Sequence, residues 1–430
     1  MAVNEPDCPV GRQINRFFIL ATTALIIRVN FSIKNFLQAC IKNCSIFSVP
    51  ALPLNKVLQE LLVKRIWSLI YNLKRMEKVI RVGLIGFGVG GQIFHAPILT
   101  TVKGLELVKI RATKPEQVAV VKAKYPGAAV VTNSEEIFDD ANIDLVVITT
   151  PNTSHHSLAM QALQAGKHVV VDKPFTINTK EADELIALAA SKNLVLSVYH
   201  SRRFDSDFHT LQKIISNQFL GDIVELESRY DRFRNYLKPN AWREEDGPGT
   251  GILYDLGSHL IDQVQVLFGL PEAITADLRM QRKGGKAVDN FEVILHYPGI
   301  KASIKGGMLV REPLPRFILL GNEGSFVKYG LDVQEEALKA GFNSLTKANW
   351  GIEPPELWGT LNTDINGQHF VGKIESEKGD YAAYYRNVYH TILGKEDLIV
   401  TPLQARNTVR IIELAMQSQQ EKRTVDFSFP

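Results

Sequence analysis

Beyond Cys44 the chain has no cysteine at all; its three cysteines, Cys8, Cys40 and Cys44, sit near the start of 430 residues. The remainder of the chain therefore has no disulfide framework, no thiolate nucleophile and no cysteine metal site, and reads as a cytoplasmic body. A strong net charge is also lacking, at +3. No basic stripe with interleaved aromatics runs through the sequence, which argues against a nucleic-acid partner. Internal repeats and low-complexity tracts are absent. The apolar run Phe17–Ile27 is eleven residues long, too short to span a bilayer, and the body of the chain offers no membrane segment.

Residues 1–75 differ in texture from the rest, with ten Lys and Arg against three Asp and Glu. The run between Arg16 and Arg28 fits a signal-peptide core, but no convincing small-residue cleavage site comes after it. A basic targeting segment or a membrane-surface helix also fits. Met76 stands immediately before E-K-V-I-R-V-G, where a compact domain would naturally begin. The expectation is a leader that forms no part of the working protein.

The body is organised around residues 79–91, V-I-R-V-G-L-I-G-F-G-V-G-G. An apolar, β-branched run predicts a strand buried on both faces. Gly86, Gly88 and Gly91 come next at the spacing G-x-G-x-x-G, with Phe87 inside the turn. Such glycines permit a tight turn, close backbone approach to a pyrophosphate, and packing of the next helix on the strand. Alone the motif is weak, since a glycine-rich turn without a ligand has the same letters. Its context strengthens it. Strands are expected at residues 105–112, 128–131, 143–149, 168–171 and 194–199, alternating with helices, which describes a doubly wound parallel sheet over residues 76–199.

After Tyr199 the pattern changes. Helices near 205–216 and 253–268 precede strand-like runs near 273–281, 290–297, 300–310 and 316–329. Residues 331–378 read as an elaborated loop, and 380–393 and 402–418 as closing helices. The expectation for 200–430 is an α+β domain with a largely antiparallel open sheet. An exposed sheet of this kind invites a homodimer or higher homo-oligomer.

Three places carry chemistry. The window Lys109–Lys114 lies where a site for NAD usually has a carboxylate for the ribose 2′-OH; it has none. Arg111, Thr113 and Lys114, with Lys109, suit a 2′-phosphate instead, hence NADP, with NAD as the alternative and solvated surface charges as the plain reading. Asp172-Lys173-Pro174 ends a parallel strand, where ligands gather. A lysine there can favour the negative charge that develops on a substrate oxygen, or simply reach solvent. Asp255 and His259 are four apart, so on a helix they share a face and can form an acid–base pair. The same spacing suits a capping aspartate beside a half-buried histidine. A metal pair lacks further ligands at metal spacing, and no metal is expected.

Together G-F-G-V-G-G, T-P-N-T-S-H-H, D-K-P and G-x-L-x-D-x-G-x-H-x-x-D resemble the glucose–fructose oxidoreductase/inositol dehydrogenase (MocA-type) family. The resemblance covers residues 77–430. W-R-E-E-D-G-P-G-T-G-I-L-Y-D-L-G-S-H-L-I-D and G-S-F-V-K-Y-G-L-D are most similar to its NADP-dependent scyllo-inositol dehydrogenases. Asp172 departs from the usual Glu-Lys-Pro of that family but leaves the lysine in place. The resemblance implies Lys173, Asp255 and His259 as a catalytic trio that meets only across a closed cleft, with Asp255 orienting His259. It also implies that Thr150, Pro151, Asn152 and His155 line the cofactor, together with Lys173. Arg243 and Tyr254 become polyol contacts by proximity alone. The implied activity is hydride transfer between a polyol or sugar hydroxyl and a nicotinamide cofactor. Two alternatives remain: a non-catalytic dinucleotide or sugar-binding regulator, and a glycosidase using tightly held NAD.

The leader yields a direct test. Protein starting at Met76 should be soluble and as active as the full chain. Precipitation, or loss of a membrane association that the full chain has, would make residues 1–75 part of the functional molecule.

Overall fold

Strands β1 (Ile80–Ile85), β2 (Leu105–Arg111), β3 (Ala129–Val131), β4 (Leu145–Ile148), β5 (His168–Val171) and β6 (Leu196–Val198) form one sheet in the order β3-β2-β1-β4-β5-β6. Every pairing in it is parallel. The computed structural model describes residues 78–239 and 241–429; Met76 and the apolar run Phe17–Ile27 lie outside the described residues. Helices cover both faces of the sheet, so β4 and β5 are almost wholly Val, Ile and Leu and fully buried. Fully burying each such side chain contributes roughly 1.5–3 kcal/mol. Because all six strands run the same way, the turns after β1, β4, β5 and β6 converge on one edge. That order reverses direction at β1/β4, where open α/β sheets bind ligands.

A second sheet has nine strands in the order β14-β13-β12-β11-β7-β10-β9-β8-β15. Its members are β7 (Ile223–Arg229), β8 (Ala273–Arg279), β9 (Asn290–Tyr297), β10 (Ile300–Gly307), β11 (Phe317–Gly321), β12 (Gly324–Lys328), β13 (Gly359–Ile365), β14 (Gln368–Ile374) and β15 (Val425–Asp426). Only the β7–β10 pairing is parallel. Helices Ser206–Ser216, Ser258–Phe268 and Pro402–Glu421 supply the apolar side chains that cover one face.

Two expectations are corrected here. The run read as one strand over 316–329 is a hairpin, broken at Gly321-Asn322-Glu323-Gly324. Asn322 Oδ1 accepts from the Asp222 N–H at 2.8 Å, and a Cβ on Gly321 would fall 2.1 Å from the Leu220 carbonyl. Residues 331–378 are not one loop but contain a helix, Val333–Lys339, capped by Asp332, and the β13–β14 hairpin. β13 buries Gly359, Leu361 and Thr363 in alternation, only one of them a large apolar side chain, and β14 is an exposed edge, so neither gives an apolar alternation to read. The legible signal was Asn366-Gly367, both at positive φ (53° and 78°), the dipeptide that suits a two-residue hairpin turn.

The last helices return to the first sheet. Tyr384 and Tyr389 of Ala382–Ile392 donate to Ser197 Oγ (2.9 Å) and to the Lys78 carbonyl (3.0 Å). Arg406 makes a two-toothed pair with Asp183 (2.9 and 3.0 Å), and Glu413 accepts from Thr179 N at 2.7 Å.

The glycine turn after β1 divides its labour visibly. Gly86 has φ +96°, and a Cβ on Gly91 would sit 2.4 Å from the Gly86 carbonyl, whereas a Cβ on Gly88 would meet nothing within 4 Å. Gly91→Ala should therefore lower stability by about 1–3 kcal/mol through overpacking, and Gly88→Ala should not. Urea unfolding of the two variants checks this, and equal losses would remove the distinction.

Candidate active site

Four turns bring side chains to the ligand edge of the parallel sheet. At the first, the helix after the glycines opens with a π-helical turn, Gly90–His95. The Gln92 N–H donates to the Gly88 carbonyl at 2.9 Å, and the space that a Cβ on Gly88 would enter is open. Phe87 buries its ring against Tyr125 (6.2 Å, edge to face), so only its backbone belongs to the turn. Thr149, at the end of β4, holds the turn by donating from Oγ1 to the Gly86 carbonyl at 2.5 Å.

The second turn is Thr150-Pro151-Asn152. Thr150 Oγ1 accepts from Ser154, and Asn152, buried, donates to the Gly249 carbonyl at 2.6 Å, which ties this turn to the loop before the second helix of the site. His155 is fully enclosed, with ring nitrogens 2.9 Å from the Thr150 and Pro174 carbonyls. It holds two loops together from behind. At the end of β2, Arg111 Nε donates to the Thr132 carbonyl (3.1 Å), while Thr113 and Lys114 are exposed. Lys109 is committed elsewhere, to Asp140 (2.8 Å) and the Glu136 carbonyl (2.7 Å). It is removed from the set that suits a 2′-phosphate.

The third turn carries Asp172 and Lys173. Burial works to raise the Asp172 carboxyl, but His95, 3.6 Å away, and Lys173 outweigh it and hold it at about 2. Asp172 Oδ1 also accepts from the Lys173 N–H at 2.8 Å, fixing the start of the lysine. Lys173 Nζ then crosses to the other half of the molecule, donating to the Asp255 carbonyl (2.7 Å) and to Asp255 Oδ1 (3.0 Å). Arg243 Nε lies 3.4 Å from the same oxygen. Burial opposes ionisation of Asp255, yet Lys173, Arg243 and Arg232 together keep its carboxyl well below the usual range.

This corrects the expected dyad. Among the described residues Asp255 makes no hydrogen bond or ion pair with His259; its carboxylate takes the ammonium instead, a charge-assisted bond stronger than one to a neutral ring. The spacing argument assumed α-helical winding, and residues Leu253–Gly257 form a π-helical turn before Ser258–Phe268 begins. Nor does bringing Lys173 to Asp255 await closure, since the two are already bonded.

His259 is nine-tenths buried and stacks on Tyr230 (centroids 6.4 Å apart, planes at 22°), with no hydrogen-bond partner for Nδ1. Burial, then Lys173, Arg202, His200 and Arg316, push it well below the ordinary imidazole value, so it is neutral at pH 7. Tyr254 points away from this cluster. Its hydroxyl donates to the Ile177 carbonyl at 3.0 Å and burial pushes its phenol up to about 12, which makes it a brace in the core.

The fourth turn, Ser201–Phe204 after β6, was missed by sequence reasoning. Arg203 grips both oxygens of Asp262 (2.8 and 2.7 Å), and Arg202 bonds Tyr230 (2.6 Å) and Glu335. The readable signal was the aspartate three residues after His259, on the same helix, awaiting a cation. No group of acidic, histidine or cysteine side chains among the described residues could hold a metal ion.

Comparisons with known proteins bear on the family and the fold. Residues 80–200 match the family model described as an oxidoreductase family NAD-binding Rossmann fold, and residues 212–427 match the C-terminal alpha/beta domain of the same family. The chain is 42% identical over 352 residues to the scyllo-inositol 2-dehydrogenase (NADP(+)) IolW of Bacillus subtilis, covering 82% of this chain and 97% of that one. It is 43% identical to the oxidoreductase YdgJ of Escherichia coli over 351 residues, 81% of this chain and 99% of the other. The solved structure of the oxidoreductase yvaA from Bacillus subtilis superposes with a TM-score of 0.78 at 41% identity, over 82% of this chain and all of that one. With a Rossmann sheet, a glycine turn open above Gly88 and matches along nearly all of 80–427, the chain belongs to the glucose–fructose oxidoreductase/inositol dehydrogenase (MocA-type) family of oxidoreductases.

Proposed function

We propose that the chain is an NADP-dependent dehydrogenase that oxidises a hydroxyl of a polyol or sugar, inositol-like in shape. The observation that carries this reading is Lys173, held at the ligand edge by Asp255, beside a neutral His259. When bound, the nicotinamide cofactor supplies the hydride acceptor. The residues fit such a cofactor: Gly86, Gly88 and Gly91 leave a backbone cradle that a Cβ at Gly88 would enter, Thr150 Cγ2 lies 3.0 Å from where a Cβ on Gly86 would sit, and Thr150, Pro151 and Asn152 would form the neighbouring wall. Beyond Nε, the Arg111 guanidinium has no further partner among the described residues. With Thr113 and Lys114 it would receive a 2′-phosphate.

Within the site, Lys173 donates to the substrate oxygen and favours negative charge on it. His259 takes the hydroxyl proton, which requires the neutral ring that its surroundings enforce. Asp255 positions Lys173 instead of His259. The domain division at residues 199/200, a working protein that starts near Met76, a cytoplasmic location and a homo-oligomer joined through the open sheet belong to the same reading. Among the described residues no helix is long and apolar enough to cross a membrane.

Cofactor choice is tested by titrating NADP and NAD. Arg111→Ala or Lys114→Ala should weaken NADP selectively, by roughly 1.5–3 kcal/mol for a charge-assisted contact. Wild-type protein that binds NAD as tightly or more tightly would overturn the NADP assignment.

The chemistry is tested with a substrate that the enzyme oxidises. Lys173→Met should keep cofactor binding and lose about 10²–10³-fold in rate, and His259→Ala about 10²–10⁴-fold. In the wild type, activity should fall with acidification only well below pH 6.5, because His259 must be unprotonated and its folded-state value is depressed. Near wild-type turnover in both variants would make the cluster structural.

A further inference from the structure

The arginines around Asp255 are unequally satisfied. Along the same stretch, Arg229 pairs with Glu227 (2.7 Å) and Asp231 (3.2 Å), and Arg234 with Glu244 (3.0 Å). Arg282 pairs with Asp289 (2.9 Å). Arg232 is different. It is partly buried with its guanidinium 5.5 Å from the centre of the Tyr230 ring, and among the described residues it has no carboxylate within ion-pair distance. Arg243 is half exposed (51%), lies 4.5 Å from the centre of the Trp242 ring, and among the described residues reaches one carboxylate oxygen, Asp255 Oδ1, at 3.4 Å, which Lys173 already holds at 3.0 Å.

Lys173 and Arg243 thus share one carboxylate, and Arg232 acts on it from beyond ion-pair distance. Deeper in, Arg202 is paired with Asp205 and Glu335 and Arg316 faces Asp207 (3.8 Å), so the unsatisfied positive charge is confined to Arg232 and Arg243 at the rim. Like charges gathered in a partly desolvated cleft repel one another. An anion in the cleft relieves that repulsion, and two guanidinium forks laid on aromatic rings are preorganised to receive a planar carboxylate or a phosphate. A neutral hydroxyl offers neither guanidinium a countercharge.

We propose that the polyol or sugar that this site accepts bears an anionic group, a carboxylate or a phosphate, which Arg232 and Arg243 bind at the rim beside Asp255. The inference rests on the dehydrogenase reading above and narrows its substrate to sugar acids or sugar phosphates. It also gives Arg243 a role beyond proximity and adds Arg232, which no sequence motif pointed to.

The test uses the full chain loaded with NADP. D-Glucuronate, D-gluconate and D-glucose 6-phosphate are compared with the neutral D-glucose and scyllo-inositol, by calorimetric binding and by kcat/KM at the nicotinamide absorbance. At least one anion should exceed its neutral counterparts by about tenfold or more, with the advantage shrinking as salt rises. The carboxylate and phosphate arms decide which anion is meant. Arg232→Gln and Arg243→Gln should each reduce the anion-to-neutral ratio by about 10–100-fold, the range of a charge-assisted contact. Arg243 is exposed enough that its variant tests the idea even if Arg232→Gln folds poorly. Neutral polyols used as well as every anion would overturn the proposal and leave the dehydrogenase reading standing. So would variants whose loss is in NADP affinity, since the arginines would then serve the cofactor. Arginine-dependent anion binding without oxidation of any alcohol would support the anion site and defeat the dehydrogenase reading.

Discussion

The bond from Lys173 Nζ to Asp255 is the constraint on which the site depends. It joins the end of β5 to the π-helical turn at 253–257, 82 residues further on, and so fixes the distance between the two sheets at the point where a substrate would lie. Ion pairs removed from water add little net stability, because desolvation offsets most of the attraction. What this pair supplies is position. The ammonium is held by a carboxylate and a carbonyl, which use two of its three N–H groups, and its charge helps keep His259 neutral.

Around that bond lies a shell of buried charges that serves the same end. Arg203 with Asp262, Arg202 with Glu335 and Tyr230, and Arg316 with Gln263 (2.7 Å) connect the turn after β6, the site helix, β11 and the helix Val333–Lys339. Such pairs are costly to break singly, because the partner left behind is an uncompensated buried charge. Side chains held this way keep a site within the narrow tolerances that transfer chemistry needs. The helix Val333–Lys339 lies in a segment that reads as a loop, yet its Glu335 reaches this shell.

The two C-terminal helices explain why the halves do not act as beads on a string. Tyr384, Tyr385 and Tyr389 pack into the core of the parallel sheet, with Tyr385 2.6 Å from His95 Nδ1. His95 in turn faces Asp172. The end of the chain thus supports the loop that carries Lys173.

How much was legible depends on the range of the forces involved. The parallel sheet was readable because strands buried on both faces must be apolar throughout, and the glycine turn because only a residue without a Cβ fits at Gly91. The family, the position of Lys173 at the ligand edge and the placing of Asp255 and His259 on one helical segment came from local pattern alone. Local pattern could not say which partner Asp255 takes, that Lys109 is spent on Asp140, that Tyr254 turns to Ile177, or that Arg232 has no carboxylate within ion-pair distance among the described residues. Each of those outcomes is a competition between charges or hydrogen-bond partners far apart in sequence. Periodicity fixes the face a side chain occupies, but only the packed fold sets the distances between charges, and a Coulomb interaction is decided by distance and by exclusion of water.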